Sequence, residues 1–214
     1  MLYAFETCGV PRVIKIIENE KDLRQEFSIW EIISKGAEMD NINLVPILKC
    51  VAIPREKGKG SVGGLLMPVY ICSLATVPIP SSPQHLLHCT KQVKLALDQM
   101  HGSGIGHCDV KPQNIFLDSS GNHFLGDYGA AQRIGDEVVE VSWNYFPDVD
   151  WKASKKLDYA LLVVSILSQS NVRSIAGPDP SKRTIPILRK EVVETFQMRD
   201  LELMNLLLSL LDIK

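Results

Sequence analysis

The chain has 214 residues, 45% of them apolar, enough for one core or two small lobes. Its net charge of −2 gives no electrostatic footprint for nucleic acid or a membrane surface. The five scattered cysteines form no C-x-x-C pair, which argues against a disulfide framework or a zinc site and for a reducing cytoplasmic or nuclear setting.

In chain order, the first feature is an N-terminus without a basic stretch followed by an apolar run, so no signal peptide is expected. Residues 2–6 and 10–17 carry apolar side chains on either side of Cys8-Gly9, which predicts a β-hairpin. Leu23, Phe27, Trp30 and Ile33 recur at helical spacing and predict a helix over 22–35. Residues 44–53 and 64–72 predict two more strands, joined by the turn-rich polar connector Glu56-Lys57-Gly58-Lys59-Gly60-Ser61. The stretch from Val77 to Pro83 breaks regular structure. A helix is then expected over 84–101, through Leu86, Val93, Leu97 and Met100. The longest apolar run, Tyr159 to Leu167, is too short to span a bilayer and reads as a buried helix. A strand-rich half, residues 1–70, thus precedes a mostly helical half, residues 71–214.

The run His107-Cys108-Asp109-Val110-Lys111-Pro112-Gln113-Asn114 carries the chemistry, with Asp127-Tyr128-Gly129 following it. An acid stands two residues before a lysine and five before an asparagine. Phosphoryl transfer needs a carboxylate at the attacking hydroxyl, a cation on the moving phosphate and oxygen ligands for magnesium. The run resembles the catalytic loop of eukaryotic-type protein kinases, and the second element resembles their D-F-G. The resemblance extends from about Leu2 to the C-terminus. It implies an α+β, bilobal, protein-kinase-like fold: a reduced antiparallel β-sheet N-lobe plus a mostly helical C-lobe, in one domain spanning 1–214. Against the family pattern, the N-lobe (1–70) lacks the first strand and glycine loop, and the C-lobe (71–214) lacks the final helix.

The same resemblance implies roles. Asp109 matches the base that accepts the substrate hydroxyl's proton. Lys111 matches the pattern of Ser/Thr-directed members, where it neutralises charge on the γ-phosphate. Asn114 and Asp127 would hold Mg2+, a hard cation suited to oxygen ligands. His107 would pack and hydrogen-bond, Gly129 would permit a backbone conformation that a larger side chain strains, and Asp158 would tie down the catalytic-loop backbone.

Val13-Ile14-Lys15-Ile16 resembles the strand bearing the lysine that orients ATP. Val13 stands where the family usually has alanine against adenine. Glu26 and Glu31 both lie at a suitable distance to pair with Lys15. Glu26 is preferred because the residue four positions on belongs to an apolar stack with His107 and Tyr128. From Glu26 that residue is Trp30; from Glu31 it is Lys35, whose burial would be costly. Leu66-Met67-Pro68-Val69-Tyr70 resembles the hinge. Met67 would back the adenine pocket, while the Pro68 carbonyl and the Tyr70 backbone would face the base. Phe116 completes the implied ATP-binding set.

Several residues depart from the family. Cys108 replaces the arginine that normally pairs with an activation-loop phosphate, so that route of activation is not expected. Segment 127–148 has no threonine; Ser142 and Tyr145 are its obvious hydroxyls besides Tyr128. Phe146-Pro147-Asp148 stands in for A-P-E. Arg183 superficially matches the arginine that anchors that motif, but Leu201–Leu211 looks like the helix that should precede it, so Arg183 is read as a loop residue. Gly58-Lys59-Gly60-Ser61-Val62-Gly63 matches G-x-G-x-x-G, yet it follows Lys15 and lacks a strand–helix context, so it reads as a connector. Charge-assisted hydrogen bonds contribute roughly 1.5–3 kcal/mol each, so losing two glycine-loop contacts would weaken nucleotide binding about a hundredfold or more.

The implied function is ATP-dependent phosphoryl transfer to Ser/Thr hydroxyls of a protein substrate that the sequence does not identify. The alternative is a pseudokinase scaffold or binding module, favoured by Val13, Cys108 and the missing loop. A small-molecule kinase is disfavoured by Lys111 and Gly129.

Overall fold

Gly9, at φ 75°, turns the chain between β1 (Leu2–Thr7) and β2 (Val10–Ile17), which pair antiparallel from Leu2 opposite Lys15 to Thr7 opposite Val10. The computed structural model describes residues 2–7, 9–35, 43–54, 61–79, 81–170, 175–177 and 179–213. Helix α1 (Glu20–Ser34) begins two residues earlier than its apolar spacing predicts, because the Asn19 side chain caps it by accepting from the Lys21 amide. Its buried face carries Leu23, Glu26, Ile29, Trp30 and Ile33.

Strands β3 (Lys49–Pro54) and β4 (Ser61–Pro68) complete a four-stranded antiparallel sheet in the order β1-β2-β4-β3. Both strands are shorter or shifted relative to expectation. Residues 44–47 are not in the sheet, which the chain rejoins where the Leu48 amide donates to the Leu66 carbonyl at 2.8 Å: Leu44 bridges Leu125, and the Val45 amide donates to the Leu125 carbonyl at 2.8 Å. The second helical half thus claims this apolar stretch. Strand β4 starts at Ser61 and ends at Pro68. Residues 55–60, and with them most of the connector and half of the G-x-G-x-x-G match, lie outside the described residues. Gly63 and Gly64 lie within β4, where space is the constraint: a Cβ on Gly63 would fall 2.1 Å from Leu23 Cδ2, and one on Gly64 would fall 2.7 Å from Ile14 Cγ2. These glycines let α1 and neighbouring side chains pack closely on the sheet.

The chain then passes through β5 (Cys72–Ser73) into α2 (Pro83–Gly102), which is capped by Ser82 and carries proline in its first turn. The short strands β6 (Ile105–Gly106), β7 (Ile115–Leu117), β8 (His123–Leu125) and β9 (Gln132–Arg133) follow, arranged as β5-β7-β8 and β6-β9 sheets. Helix α3 (Lys155–Gln169) is buried from Leu157 through Leu167, and α2, α4 (Ile185–Phe196) and α5 (Leu201–Leu211) surround it. Leu86, Val93, Leu97 and Met100 give α2 its buried face. The architecture is α+β and bilobal, with a small sheet half and a helical half meeting near Tyr70.

Three histidines meet where α2 packs on β8. His123 is fully buried; its amide and Nδ1 both face Gln92 Oε1, at 2.8 and 3.0 Å, and its ring lies against those of His85 and His88. Burial, with His85 and His88 nearby, pushes its pKa down to about 4, although Asp118 acts the other way. The unfolded chain therefore binds more protons than the folded one between about pH 6.5 and 4. Stability is expected to fall across that window as pH drops, by up to a few kcal/mol. Denaturant midpoints measured from pH 7 to pH 4 check this, and His123→Met should flatten the slope.

Candidate active site

Strands β2 and β4 set Val13 opposite Met67 and Arg12 opposite Pro68, forming one wall of a cleft between the halves. Val45 and Phe116 form the facing wall, and Lys15, Glu26 and Asp127 close its inner end. Tyr70 also lines this cleft, its ring packed 5.8 Å from Phe116 and 5.1 Å from Phe124. The cleft, about 160 Å³ in volume, therefore gathers every residue expected to bind nucleotide. It also includes Val45, which sequence reasoning placed in a strand. The signal was the apolar run itself; its pairing with Leu125 was not legible.

Lys15 joins three elements. Its Nζ lies 2.8 Å from both Glu26 carboxylate oxygens and 2.6 Å from Asp127 Oδ1. Glu26 is 3% exposed, whereas Glu31 faces solvent. Burial by itself would lower the Lys15 pKa, but the Asp127 and Glu26 carboxylates outweigh it and raise the value. Burial also raises Glu26, which Lys15 offsets only in part. For Asp127, burial pulls upward but the Lys15 ammonium wins, holding the carboxyl below the usual range.

Behind this charge cluster stands an aromatic stack. Trp30 stacks on Tyr128 with ring centres 6.0 Å apart and planes 24° from parallel, and His107 meets the same tyrosine ring edge-on at 6.2 Å. The Tyr128 hydroxyl donates to the Val45 carbonyl at 2.7 Å, and His107 Nε2 pairs with the Gly126 carbonyl at 3.1 Å. Cys108 and Asp127 have φ of 65° and 67°, in the left-handed region that is uncommon outside glycine. Asp127 lines the cleft and Cys108 immediately precedes Asp109, and strained backbone of this kind persists only where neighbours hold it. Asp158, fully buried, does so for Cys108. Its oxygens accept the His107 and Cys108 amides at 2.8 and 2.7 Å, and His101 Nε2 lies 2.8 Å away. Burial pushes the Cys108 thiol pKa up, so this position supplies no charge in place of arginine.

Asp109, Lys111 and Asn114 converge on one carboxylate. Lys111 Nζ lies 2.6 Å from Asp109 Oδ2, and Asn114 Nδ2 donates to the Asp109 carbonyl at 2.9 Å and to Oδ2 at 3.1 Å. The Gly126 amide donates to the Asn114 carbonyl at 3.0 Å, which sets the second acid's loop beside the first. Asp109, Lys111 and Asp127 line a common hollow with Ser142.

Two expectations are corrected. Gly129 is not in the left-handed region, and a Cβ there would make only ordinary contacts, 3.5 Å to Asp127 Oδ1 and 3.8 Å to Glu26 Oε2. The position where space demands glycine is Gly126, whose added Cβ would fall 2.6 Å from Val45 Cγ2. Arg183, read as a loop residue, is 1% exposed in a turn of 3₁₀ helix (Pro180–Arg183). Its guanidinium donates to the carbonyls of Phe146 (2.7 Å), Trp143 (2.7 Å) and Ile175 (3.2 Å). It anchors the segment before Asp148 through backbone oxygens, and burial lowers its pKa despite Asp179.

Gly126→Ala should destabilise the protein by about 1–3 kcal/mol, because β-branched Val45 has little freedom to yield. Gly129→Ala should stay within about 0.5 kcal/mol of wild type. Chemical denaturation of the two variants side by side checks the contrast.

Comparison with known proteins agrees with this geometry. Residues 58–157 match the model of the protein kinase domain. The chain is 38% identical over 131 residues to the serine/threonine-protein kinase US3 homolog of Gallid herpesvirus 2 (strain GA), covering 59% of this chain and 29% of that protein. It is 38% identical over 71 residues to the serine/threonine-protein kinase US3 of Human herpesvirus 2 (strain HG52), covering 31% of this chain and 15% of that protein. The chain thus matches less than a third of the length of either relative. Its fold resembles that of the Cydia pomonella granulovirus kinase PK-1 with a TM-score of 0.70 over 99% of this chain and 83% of that one, at 18% identity. The kinase-domain match, the kinase relatives and the shared fold together support the protein kinase superfamily for this chain.

Proposed function

We propose that this chain transfers the γ-phosphoryl group of ATP to serine or threonine hydroxyls of a protein substrate. The observation that carries the reading is Lys15, paired with both Glu26 and Asp127 at the inner end of an apolar cleft. An adenine ring fits the chemistry of Val13, Val45, Met67 and Phe116, and Pro68 and Tyr70, whose backbone groups would face the base, line the same cleft. Lys15 would orient the phosphates. Asp109, steadied by Lys111 and Asn114, would accept the hydroxyl proton as the new bond forms, and Lys111 would offset charge on the moving phosphate.

The oxygen donors here suit Mg2+. Asn114 commits its amide nitrogen to Asp109, leaving the amide oxygen for a cation, and Asp127 is held in its ionised form at neutral pH. Bound there, the ion would neutralise and align the phosphates. Lys111 supports a Ser/Thr acceptor, as in the family pattern, and the serine/threonine kinase relatives support the same choice. The four described cysteines that are free thiols suit the cytoplasmic or nuclear reading. Among the described residues, no helix is long and apolar enough to cross a membrane.

The test is label transfer from γ-labelled ATP, with magnesium, to a generic Ser/Thr protein substrate. Asp109→Asn should cut transfer by roughly 10²–10⁴-fold while leaving circular dichroism unchanged. Equal labelling by the variant would overturn the role of Asp109. No labelling by folded wild-type protein would favour the scaffold reading.

A further inference from the structure

The three histidines where α2 packs on β8 line none of the hollows described above, and a chain of hydrogen bonds sets their ring nitrogens. The chain begins at a carboxylate. Asp118 Oδ1 accepts the Ser120 and Asn122 amides, each at 2.8 Å, and its Oδ2 accepts from Asn122 Nδ2 at 3.1 Å. Asn122 therefore turns its Oδ1 to Gln92 Nε2, at 3.2 Å. Gln92 in turn presents Oε1 to the His123 amide and to His123 Nδ1, at 2.8 and 3.0 Å. An amide oxygen only accepts, so His123 Nδ1 carries the ring proton and Nε2 carries the lone pair. His123 is fully buried, and that Nε2 lies 3.5 Å from Nε2 of half-buried His85.

An imidazole whose N–H is held by an oxygen, with its other nitrogen open, is the form in which histidine ligates a metal. The spacing agrees. At 3.5 Å the two nitrogens stand too far apart for a good hydrogen bond. Two ligands of a tetrahedral zinc, with Zn–N bonds of about 2.0–2.1 Å, sit about 3.4 Å apart. His88 follows His85 by three residues, on the same face of α2, and its ring centre lies 5.6 Å from that of His123. Among the described residues no three metal-ligating side chains already converge on one point. His88 joins the pair by turning about its side-chain torsions, a motion that an exposed residue makes readily.

We propose that His85, His88 and His123 form a zinc site, with water as the fourth ligand. The donors are all imidazole nitrogens, which suit Zn2+ and not Mg2+, and the cysteines take no part. The hydrogen-bond chain back to Asp118 supplies the outer shell that orients the buried ligand. The ion would fasten the first turns of α2 to β8, the strand that leads through Gly126 to Asp127. The unfolded chain has no such preformed site, so zinc stabilises the fold by mass action. This inference stands independently of the kinase reading.

Calorimetric titration of Zn2+ into the full chain, with magnesium in excess, tests it. Wild type should bind one equivalent, and zinc should raise its unfolding midpoint. His85→Gln and His88→Gln should each weaken binding by at least the about tenfold that loss of even an outer-shell partner costs, and should lose the rise in midpoint. Both side chains reach solvent, so these variants leave the buried His123 ring in place, and circular dichroism checks that they fold. No zinc binding by folded wild-type protein overturns the proposal. Equal zinc affinity in either variant overturns the three-histidine site and places any bound ion elsewhere.

Discussion

One ammonium group holds the site together. Lys15 comes from a central strand, Glu26 from the helix packed on that sheet, and Asp127 from a loop of the helical half. Each pairing ties down a different element, so the relative placement of strand, helix and loop converges on a single nitrogen. Such a cluster is not cheap. Burying charges costs several kcal/mol per ion, repaid only when partners lie close and well aligned. At 2.6–2.8 Å the partners meet that condition. Removing the lysine would strand a carboxylate that is 3% exposed, which is why the arrangement reads as a functional device and not as a stabilising one.

The remaining geometry supports this cluster from two sides. On one, Trp30, Tyr128 and His107 stack behind it, so that α1 and the loop after β8 share an apolar contact one turn from their shared ion pair. On the other, buried polar groups with full complements of backbone partners fix the loops. Asp158 accepts two consecutive amides and so stabilises the left-handed turn at Cys108. Arg183 donates to three carbonyls and fixes the segment that carries Ser142. An acid and a base of opposite charge thus perform the same task in two different loops, each satisfying peptide groups that would otherwise be buried without partners.

The sequence made most of this legible where side-chain chemistry and spacing were both constrained. The choice of Glu26 over Glu31 turned on a single physical argument, that Trp30 and not Lys35 belongs in an apolar stack, and the structure places Glu26 against Lys15 and Trp30 against Tyr128. The helices at Glu20–Ser34 and Pro83–Gly102 followed from their apolar periodicity, and the one at Leu201–Leu211 from the family resemblance. Illegible were features decided by long-range packing. The apolar stretch at Leu44–Val45 looks like strand, but its hydrogen bonds go to Leu125, some eighty positions away. Arg183 carries no local mark of burial, because its partners are carbonyls that any residue possesses. The need for glycine at Gly126, and its absence at Gly129, depends on where the Val45 side chain comes to rest.

The most direct test of the central claim is calorimetric titration of ATP, with magnesium, into the wild-type chain and into Lys15→Met. Measurable binding by wild type, weakened about tenfold or more in a variant that circular dichroism shows to be folded at the titration temperature, would establish that the Lys15 cluster is a nucleotide site. Equal ATP affinity in the two proteins would contradict the account.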